Sequence, residues 1–282
     1  MLLYKDKTLH DRMRNAMCYW MAYLNKIDRE KLLEEGSLRY SLADSITSRE
    51  ISAQRIELER VHPLFKNKKM DFYIYDENVS KIENAYELKL AKDDTNKETE
   101  NRRVFYDLLR LYFLQKYTDI KCYFIMCGPK SKYIVEFVGD LTKENLQEVK
   151  DEGSDDNSKV KMKQTINKEE GTEGEEIRSI NSSGFYSELF EFKIDGVKDI
   201  QINVTDGNFK DLYKDFFNGK NCYEFKDEKL IQDNFKFKDG TSLEDLKFKD
   251  SFTFKTKCIS HSNMFGELQD IDFLAGIWEI SD

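Results

Sequence analysis

The chain has 282 residues, of which 35% are charged, and its formal net charge is −9 at pH 7. A chain of this length can bury a substantial core, and its acidic balance argues against a general polyanion binder, so any nucleic-acid contact must come from a local basic patch. Its apolar runs are far shorter than the roughly 20 residues of a membrane helix and its N-terminus lacks a signal-peptide pattern, so we expect a cytoplasmic protein that does not contact a membrane. The five cysteines are scattered, which predicts buried free thiols rather than a zinc site or disulfides.

The first predicted element is an amphipathic helix at residues 8–25, where apolar side chains recur at helical spacing and Thr8 is a candidate cap. A short second helix is predicted at residues 28–35, followed by a loop at residues 39–50. Residues 52–61 alternate between polar and apolar side chains, which predicts a strand.

Two more strands are predicted at residues 70–75 and 84–90, with a turn between them. A helix with a broad apolar face is predicted within residues 93–117. The nearly all-apolar segment at residues 121–128 is typical of an interior strand covered on both faces. If the short second helix is left aside, the predicted order of elements is helix, three strands, helix, strand.

Composition divides the chain into three parts. Residues 149–177 contain few apolar side chains and predict a charged flexible linker or insertion, because such a segment cannot offset its ordering entropy. Residues 1–148 precede this segment, and residues 178–282 predict a β-rich C-terminal unit for recognition or partner binding. Its predicted strands lie within residues 185–194, 200–204, 251–259 and 274–280, and a helix is predicted near residues 208–218. This unit either packs separately or lies back on the first part.

The segment Tyr-Glu-Leu-Lys-Leu at residues 86–90 places Glu87 and Lys89 on one face of a strand, because successive side chains alternate between faces. If Asp71 lies beside Glu87 on the neighbouring strand, the two carboxylates offer oxygen ligands to Mg²⁺, and the Lys89 ammonium lies next to the ion. The alternative is a solvent-facing salt bridge of less than about 1 kcal/mol.

This arrangement, with the surrounding element order over roughly residues 8–128, resembles the PD-(D/E)XK nuclease superfamily, although Met70 stands where proline often precedes the aspartate. The resemblance implies an α/β (α+β) fold with a restriction-endonuclease-like nuclease core at residues 1–148, in which helices flank a mixed central sheet. It implies Asp71 and Glu87 as metal ligands and Lys89 as a catalytic residue. Members often carry a further upstream acid, for which Glu59 is preferred over the candidates Glu57, Asp11 and Glu50.

The resemblance implies a Mg²⁺-dependent nuclease that cleaves DNA, with RNA as the alternative substrate and Mn²⁺ as a substitute ion. Such enzymes serve in restriction and anti-phage defence, and many dimerise, so we expect a homodimer or a partner from a defence complex. A second hypothesis is a catalytically inactive nuclease-like scaffold that binds nucleic acid or a protein. Candidate phosphate contacts, which are equally consistent with ordinary surface charge, are Lys66, Lys68, Lys69, Arg102 and Arg103. Asp107 and Arg110 are expected to form a structural ion pair.

Overall fold

A seven-stranded mixed sheet organises the computed structural model, which describes residues 8–47, 51–91, 97–133, 137, 182–203, 205, 207, 209–219, 222–226, 237–238, 251–262 and 272–282. The helices are α1 (Leu9–Lys26), α2 (Glu35–Thr47), α3 (Lys97–Tyr117), α4 (Lys130–Tyr133), α5 (Ser182–Leu189) and α6 (Lys210–Asn218). The strands are β1 (Ile56–Leu58), β2 (Phe72–Tyr75), β3 (Ile82–Leu90), β4 (Lys121–Pro129), β5 (Val197–Asn203), β6 (Ser251–His261) and β7 (Phe273–Ser281).

The strands lie in the order β1-β2-β3-β4-β7-β6-β5. β1, β2 and β3 form an antiparallel meander, and β4 pairs with β3 in parallel. The chain passes from β3 to β4 through α3, as a parallel pair requires a crossover connection. β7, β6 and β5 extend the sheet beyond β4 by antiparallel pairing. The molecule is therefore an α+β protein whose mixed sheet is flanked by helices.

Each face of the sheet carries its own hydrophobic core. On one face, α1 and α2 pack their apolar residues, including Met17 and Leu42, against β2, β3, β4 and β7. On the other face, α3, α5 and α6 cover the same sheet with a larger, aromatic-rich core. β4 is buried along almost its whole length, which confirms the prediction of an interior strand.

Several predicted elements are confirmed and four are wrong in type or length. The short helix predicted at residues 28–35 is only a 3-10 helix at Glu30–Leu32. The opening helix begins after Thr8, whose side chain accepts a hydrogen bond from the Asp11 N–H at 3.1 Å. The predicted loop at residues 39–50 is wrong over its described part, because α2 runs from Glu35 to Thr47 and its apolar side chains are buried at four-residue spacing. The strand predicted at residues 52–61 is confined to Ile56–Leu58, and the aromatic segment near residues 185–194 begins as helix α5 rather than as a strand.

The C-terminal segment lies back on the first part of the chain, since β7 pairs with β4 and so joins one continuous sheet. It also contributes α5 and α6, so it is not a purely β-rich unit. The predicted linker at residues 149–177 lies outside the described residues. All five cysteines are free thiols, and Cys222 alone is not buried. None of the helices in the described ranges is long and apolar enough to cross a bilayer.

Gly276 allows β7 to approach the aromatic side chains beside it. A Cβ atom at this position would lie 2.6 Å from the His261 ring and still closer to the Trp278 ring. Both rings are buried, so neither has free space into which it can move. The close packing of β6 against β7 therefore requires glycine here.

Candidate functional site

The pairing of β2 with β3 brings Asp71 opposite Glu87. Phe72 pairs with Tyr86 and Tyr73 with Ala85, and this register continues by one residue to set Asp71 across from Glu87. Asp71 Oδ2 accepts a hydrogen bond from the Leu88 N–H at 2.6 Å, which fixes the carboxylate against β3. The predicted juxtaposition of the two acids is thus present in the structure.

Glu87 and Lys89 do not form a solvent-facing salt bridge. They are 4% and 6% exposed, and both project toward α3 on the aromatic-rich face of the sheet. Glu87 lies 2.8 Å from Arg110, whereas Lys89 lies 2.8 Å from Glu100 and 3.3 Å from Glu35. The two side chains therefore belong to a buried charge network, because each pairs with a helix residue instead of with its neighbour on the strand.

Glu87 is the most deeply buried acid of this network. Burial raises the pKa of its carboxyl well above the usual value; Arg110 opposes this shift, while the charges of Asp71 and Asp107 reinforce it. The influence of Asp71 on the pKa of Glu87 agrees with the strand register, which sets the two carboxyl groups opposite each other. Arg110 Nη2 is close enough to Glu87 Oε1 for an ion pair but is not aligned as a hydrogen bond, so Oε1 has no donor among the described residues.

The pKa of Asp71 is also displaced upward, to about 6, chiefly because burial disfavours its charged form. The Arg39 guanidinium, 3.2 Å from Oδ1, and the hydrogen bond from the Leu88 N–H oppose this shift. Burial lowers the pKa of Lys89, but the negative charges of Glu35, Asp107 and Glu100 outweigh that effect and raise it overall. Lys89 is therefore a cation held among carboxylates.

Helices α2 and α3 supply the rest of the site. α2 contributes Glu35 and Arg39, and α3 contributes Glu100, Asp107 and Arg110. We call the five carboxylates the acidic cluster: Glu35, Asp71, Glu87, Glu100 and Asp107. Three buried or largely buried cations face them, namely Arg39, Lys89 and Arg110. The cluster thus holds more carboxylates than cations, which is costly in a buried setting unless protons or another cation compensate.

The three predicted upstream acids that the structure describes lie outside the acidic cluster. Glu59 follows β1 with a positive φ of 52°, and its side chain is 52% exposed and pairs with Arg39 at 2.6 Å. Glu57 is bound by Arg60 and by the Tyr75 hydroxyl. Asp11 binds Ser260 beside the opposite face of the sheet, and Glu50 lies outside the described residues. The Glu59 side chain is linked to that of Asp71 through their shared ion pairs with Arg39, and the Glu59 N–H donates to the Asp71 carbonyl at 2.9 Å.

The five predicted phosphate contacts have different surroundings. Lys66 pairs with Glu224 at 3.5 Å, and exposed Arg103 lies 3.5 Å from Glu100. The Lys69 carbonyl accepts a hydrogen bond from Arg110 at 2.7 Å. The Nε of Arg102 is buried. Lys68 lies over the Tyr223 ring, with Nζ 4.0 Å from the ring centroid.

The sequence interpretation missed Glu35, Arg39 and Glu100 as members of the site. Asp107 and Arg110 do form the expected ion pair, but Arg110 also contacts Glu87, so the pair is part of the site. The signal for α2 was present in the spacing of its buried residues Leu38, Leu42 and Ile46, which recur every four positions.

In the part of the chain that the structure describes, no group of three or more His, Cys, Asp or Glu side chains is arranged to hold a metal ion. Comparisons with protein-family models, with curated proteins and with solved structures give no match to this chain.

Proposed function

We propose that the protein is a Mg²⁺-dependent nuclease with a restriction-endonuclease-like core, which hydrolyses phosphodiester bonds of DNA in a prokaryotic restriction or anti-phage system. The antiparallel meander β1-β2-β3, followed by α3 and a strand parallel to β3, supports this core. The observation that carries the proposal is the strand register that sets Asp71 opposite Glu87, with Lys89 two residues further along the same strand face.

The residues of the site fit a divalent cation. Carboxylate oxygens are the ligands that Mg²⁺ takes, and Asp71 and Glu87 would hold the ion. Glu87 Oε1 is buried without a hydrogen-bond donor in the described residues, and the carboxylates of the cluster outnumber its cations. A bound Mg²⁺ supplies charge stabilisation at the phosphate and lowers the pKa of a water.

The chain's own groups then have distinct tasks. Asp71 is held in place by the Leu88 N–H and by Arg39, which fixes one oxygen donor against β3. Lys89 keeps its proton and directs an ammonium into the site, where it orients the attacking water and stabilises developing negative charge. Glu35, within 3.3 Å of Lys89 Nζ, is better placed than exposed Glu59 to be the upstream acid.

The test is cleavage of plasmid DNA, single-stranded DNA and RNA with Mg²⁺ or Mn²⁺, and in EDTA. Glu87→Gln and Lys89→Met should each abolish cleavage. Matched controls on the same strand or just before it are Glu83→Gln and Lys81→Met, because both side chains are exposed. Cleavage that survives both site substitutions, or that proceeds equally in EDTA, would refute the assignment.

One observation favours a second candidate function, a nuclease-like scaffold that binds nucleic acid or a defence partner without cleaving. Arg110 already places a positive charge 2.8 Å from Glu87, and a site neutralised in this way does not require a metal ion. Calorimetric titration with Mn²⁺ separates the two functions. The nuclease requires binding that Glu87→Gln removes, whereas the scaffold shows no binding that depends on this carboxylate.

A further inference from the structure

We propose that Lys68 and Tyr223 form a subsite for a backbone phosphate of a nucleic-acid strand, immediately beside the acidic cluster. The proposal rests on the proposed function for its substrate class alone, since it concerns binding rather than cleavage. It also gives the C-terminal segment a specific task, because Tyr223 belongs to the part of the chain that follows α6.

The Tyr223 ring is held rigidly between two side chains. Phe216 of α6 stacks on it with a centroid distance of 4.2 Å and an interplanar angle of 6°. Lys68 Nζ lies 4.0 Å from the same centroid, and since Phe216 covers one face, the ammonium must lie over the other. Phe65 and Tyr106 contact the ring from its edges. The ring therefore fixes the position of an ammonium group that would otherwise move freely.

Lys68 and Tyr223 lie next to Arg110, which belongs to the candidate site. Arg110, which contacts Glu87, also lies 5.8 Å from the Tyr223 centroid, and it donates to the carbonyl of Lys69, the residue after Lys68. Backbone hydrogen bonds tie the segments together, from Lys66 N to Glu224 O and from Lys226 N to Leu64 O, both at 2.8 Å. Lys68 is thus held at the rim of the acidic cluster by main-chain pairing.

The charges around Lys68 favour an anion. Residues 60–69 contain four basic side chains and no acidic one, and residues 222–226 add Lys226 and Glu224. Glu224 pairs with Lys66, and Arg60 pairs with Glu57. No carboxylate of the described ranges lies within ion-pair distance of the Lys68 ammonium. In a chain of net charge −9, this local excess of cations is unusual.

The surroundings of Lys68 disfavour its charged form, and a bound anion would reduce this penalty. Partial burial lowers the pKa of its ammonium and the positive charge of Arg110 lowers it further, and these effects outweigh the opposing influence of Cys222 and Asp107. A phosphate group bound at the ammonium accepts its N–H groups and reduces this repulsion. Because the subsite adjoins the carboxylates proposed to hold Mg²⁺, the chemically matching ligand is a phosphate next to the one that is cleaved. Such contacts position the strand without selecting a sequence.

The experiment measures binding of short fluorescein-labelled DNA and RNA strands by anisotropy over a range of salt concentrations. EDTA is present throughout, so that no strand is cut. Each backbone phosphate neutralised by a lysine contributes about 0.7 to the slope of log K against log salt for a single strand. We therefore expect Lys68→Gln to weaken binding of all sequences and to lower the slope by about this amount.

Lys66→Gln is the matched control, because it removes the same charge from the same segment but from a lysine paired with Glu224. It should leave the slope close to that of the wild type. Tyr223→Leu should reduce binding as Lys68→Gln does, whereas Tyr223→Phe, which retains the ring, should not. The unfolding temperatures of all variants identify any that fail to fold. Lys68→Gln is the primary test, because Lys68 is only half-buried and its substitution should preserve the fold.

The outcomes separate this subsite from the proposed function. A slope that Lys68→Gln leaves unchanged, an equal loss in Lys66→Gln, or a wild type that binds neither strand overturns the subsite. A reduced slope in a protein that never cleaves supports the subsite and favours the scaffold function instead. Cleavage with an unchanged slope leaves the nuclease in place and refutes Lys68 as its phosphate contact.

Discussion

Removal of the Arg110 guanidinium should strongly destabilise the folded state. Its guanidinium contacts Glu87 at 2.8 Å and Asp107, and it donates to the Lys69 carbonyl at 2.7 Å, while the side chain is only 8% exposed. Arg110→Met preserves much of the apolar stem but leaves two acids without this cation. Breaking a buried ion pair by removing one partner costs about 3 to 5 kcal/mol.

The cost should depend on Glu87. In a Glu87→Gln background, Arg110→Met leaves only Asp107 and the Lys69 carbonyl without their partner, and the loss should be smaller. We therefore expect a coupling energy of about 2 kcal/mol between the two substitutions. The sign follows from the ion pair, since Arg110 lies 2.8 Å from Glu87 and opposes the rise in its pKa that burial causes, so each residue stabilises the charged form of the other.

The assay is urea unfolding of the four proteins of this cycle at neutral pH in EDTA. The matched control cycle uses Arg55 and Glu83, because Arg55 also donates to a strand carbonyl, that of Tyr75 at 2.7 Å, while its ion pair with Glu83 is exposed on the glutamate side. Its coupling should stay below about 1 kcal/mol. Additive losses at Arg110 and Glu87, or equal coupling in both cycles, would contradict a buried charge network between Glu87 and Arg110.

Three further predictions concern pH, the upstream acid and packing. In EDTA, the free energy of unfolding of the wild type relative to Asp71→Asn should fall as the pH rises from about 4 to about 6, by up to about 3 kcal/mol. The pKa of about 6 makes the folded chain retain a proton that the unfolded chain releases in this range, so a difference that stays constant or rises with pH would refute the assignment. Glu35→Gln should reduce DNA cleavage far more than Glu59→Gln, because Glu35 contacts Lys89 whereas Glu59 is exposed; equal losses in parallel cleavage assays would remove Glu35 as the upstream acid. Gly276→Ala should lower stability to urea by about 1 to 3 kcal/mol through overpacking, and an unchanged unfolding midpoint would show that the neighbouring rings can move.

Local patterning in the sequence was sufficient for elements whose burial follows a simple period. The helical spacing of α1 and its Thr8 cap, and the nearly continuous apolar run of β4, predicted both elements to within two residues at each end. The alternation along β3 likewise determined that Glu87 and Lys89 share a face, because side-chain direction in a strand has a period of two.

The pattern of apolar residues was insufficient to predict helices in which polar or aromatic residues obscure the helical period. α2 contains three serines and Asp44, residue types that favour caps and turns, yet three side chains buried at four-residue spacing stabilise it as a helix. α5 carries aromatic residues typical of strands, but Phe185, Tyr186 and Leu189 pack into the core from a helix. In both cases tertiary burial outweighed local propensity.

The sequence by itself determined that an acid and a lysine project from the same face of a buried strand. Only the tertiary structure decided which residues surround Glu87 and Lys89. Strand register sets Asp71 opposite Glu87. The packing of α2 and α3 brings Glu35, Glu100 and Arg110 to the same site. These residues are up to 75 positions apart in the chain. Their spacing carries no local signal, since it depends on how helices pack across the sheet rather than on any period of the chain.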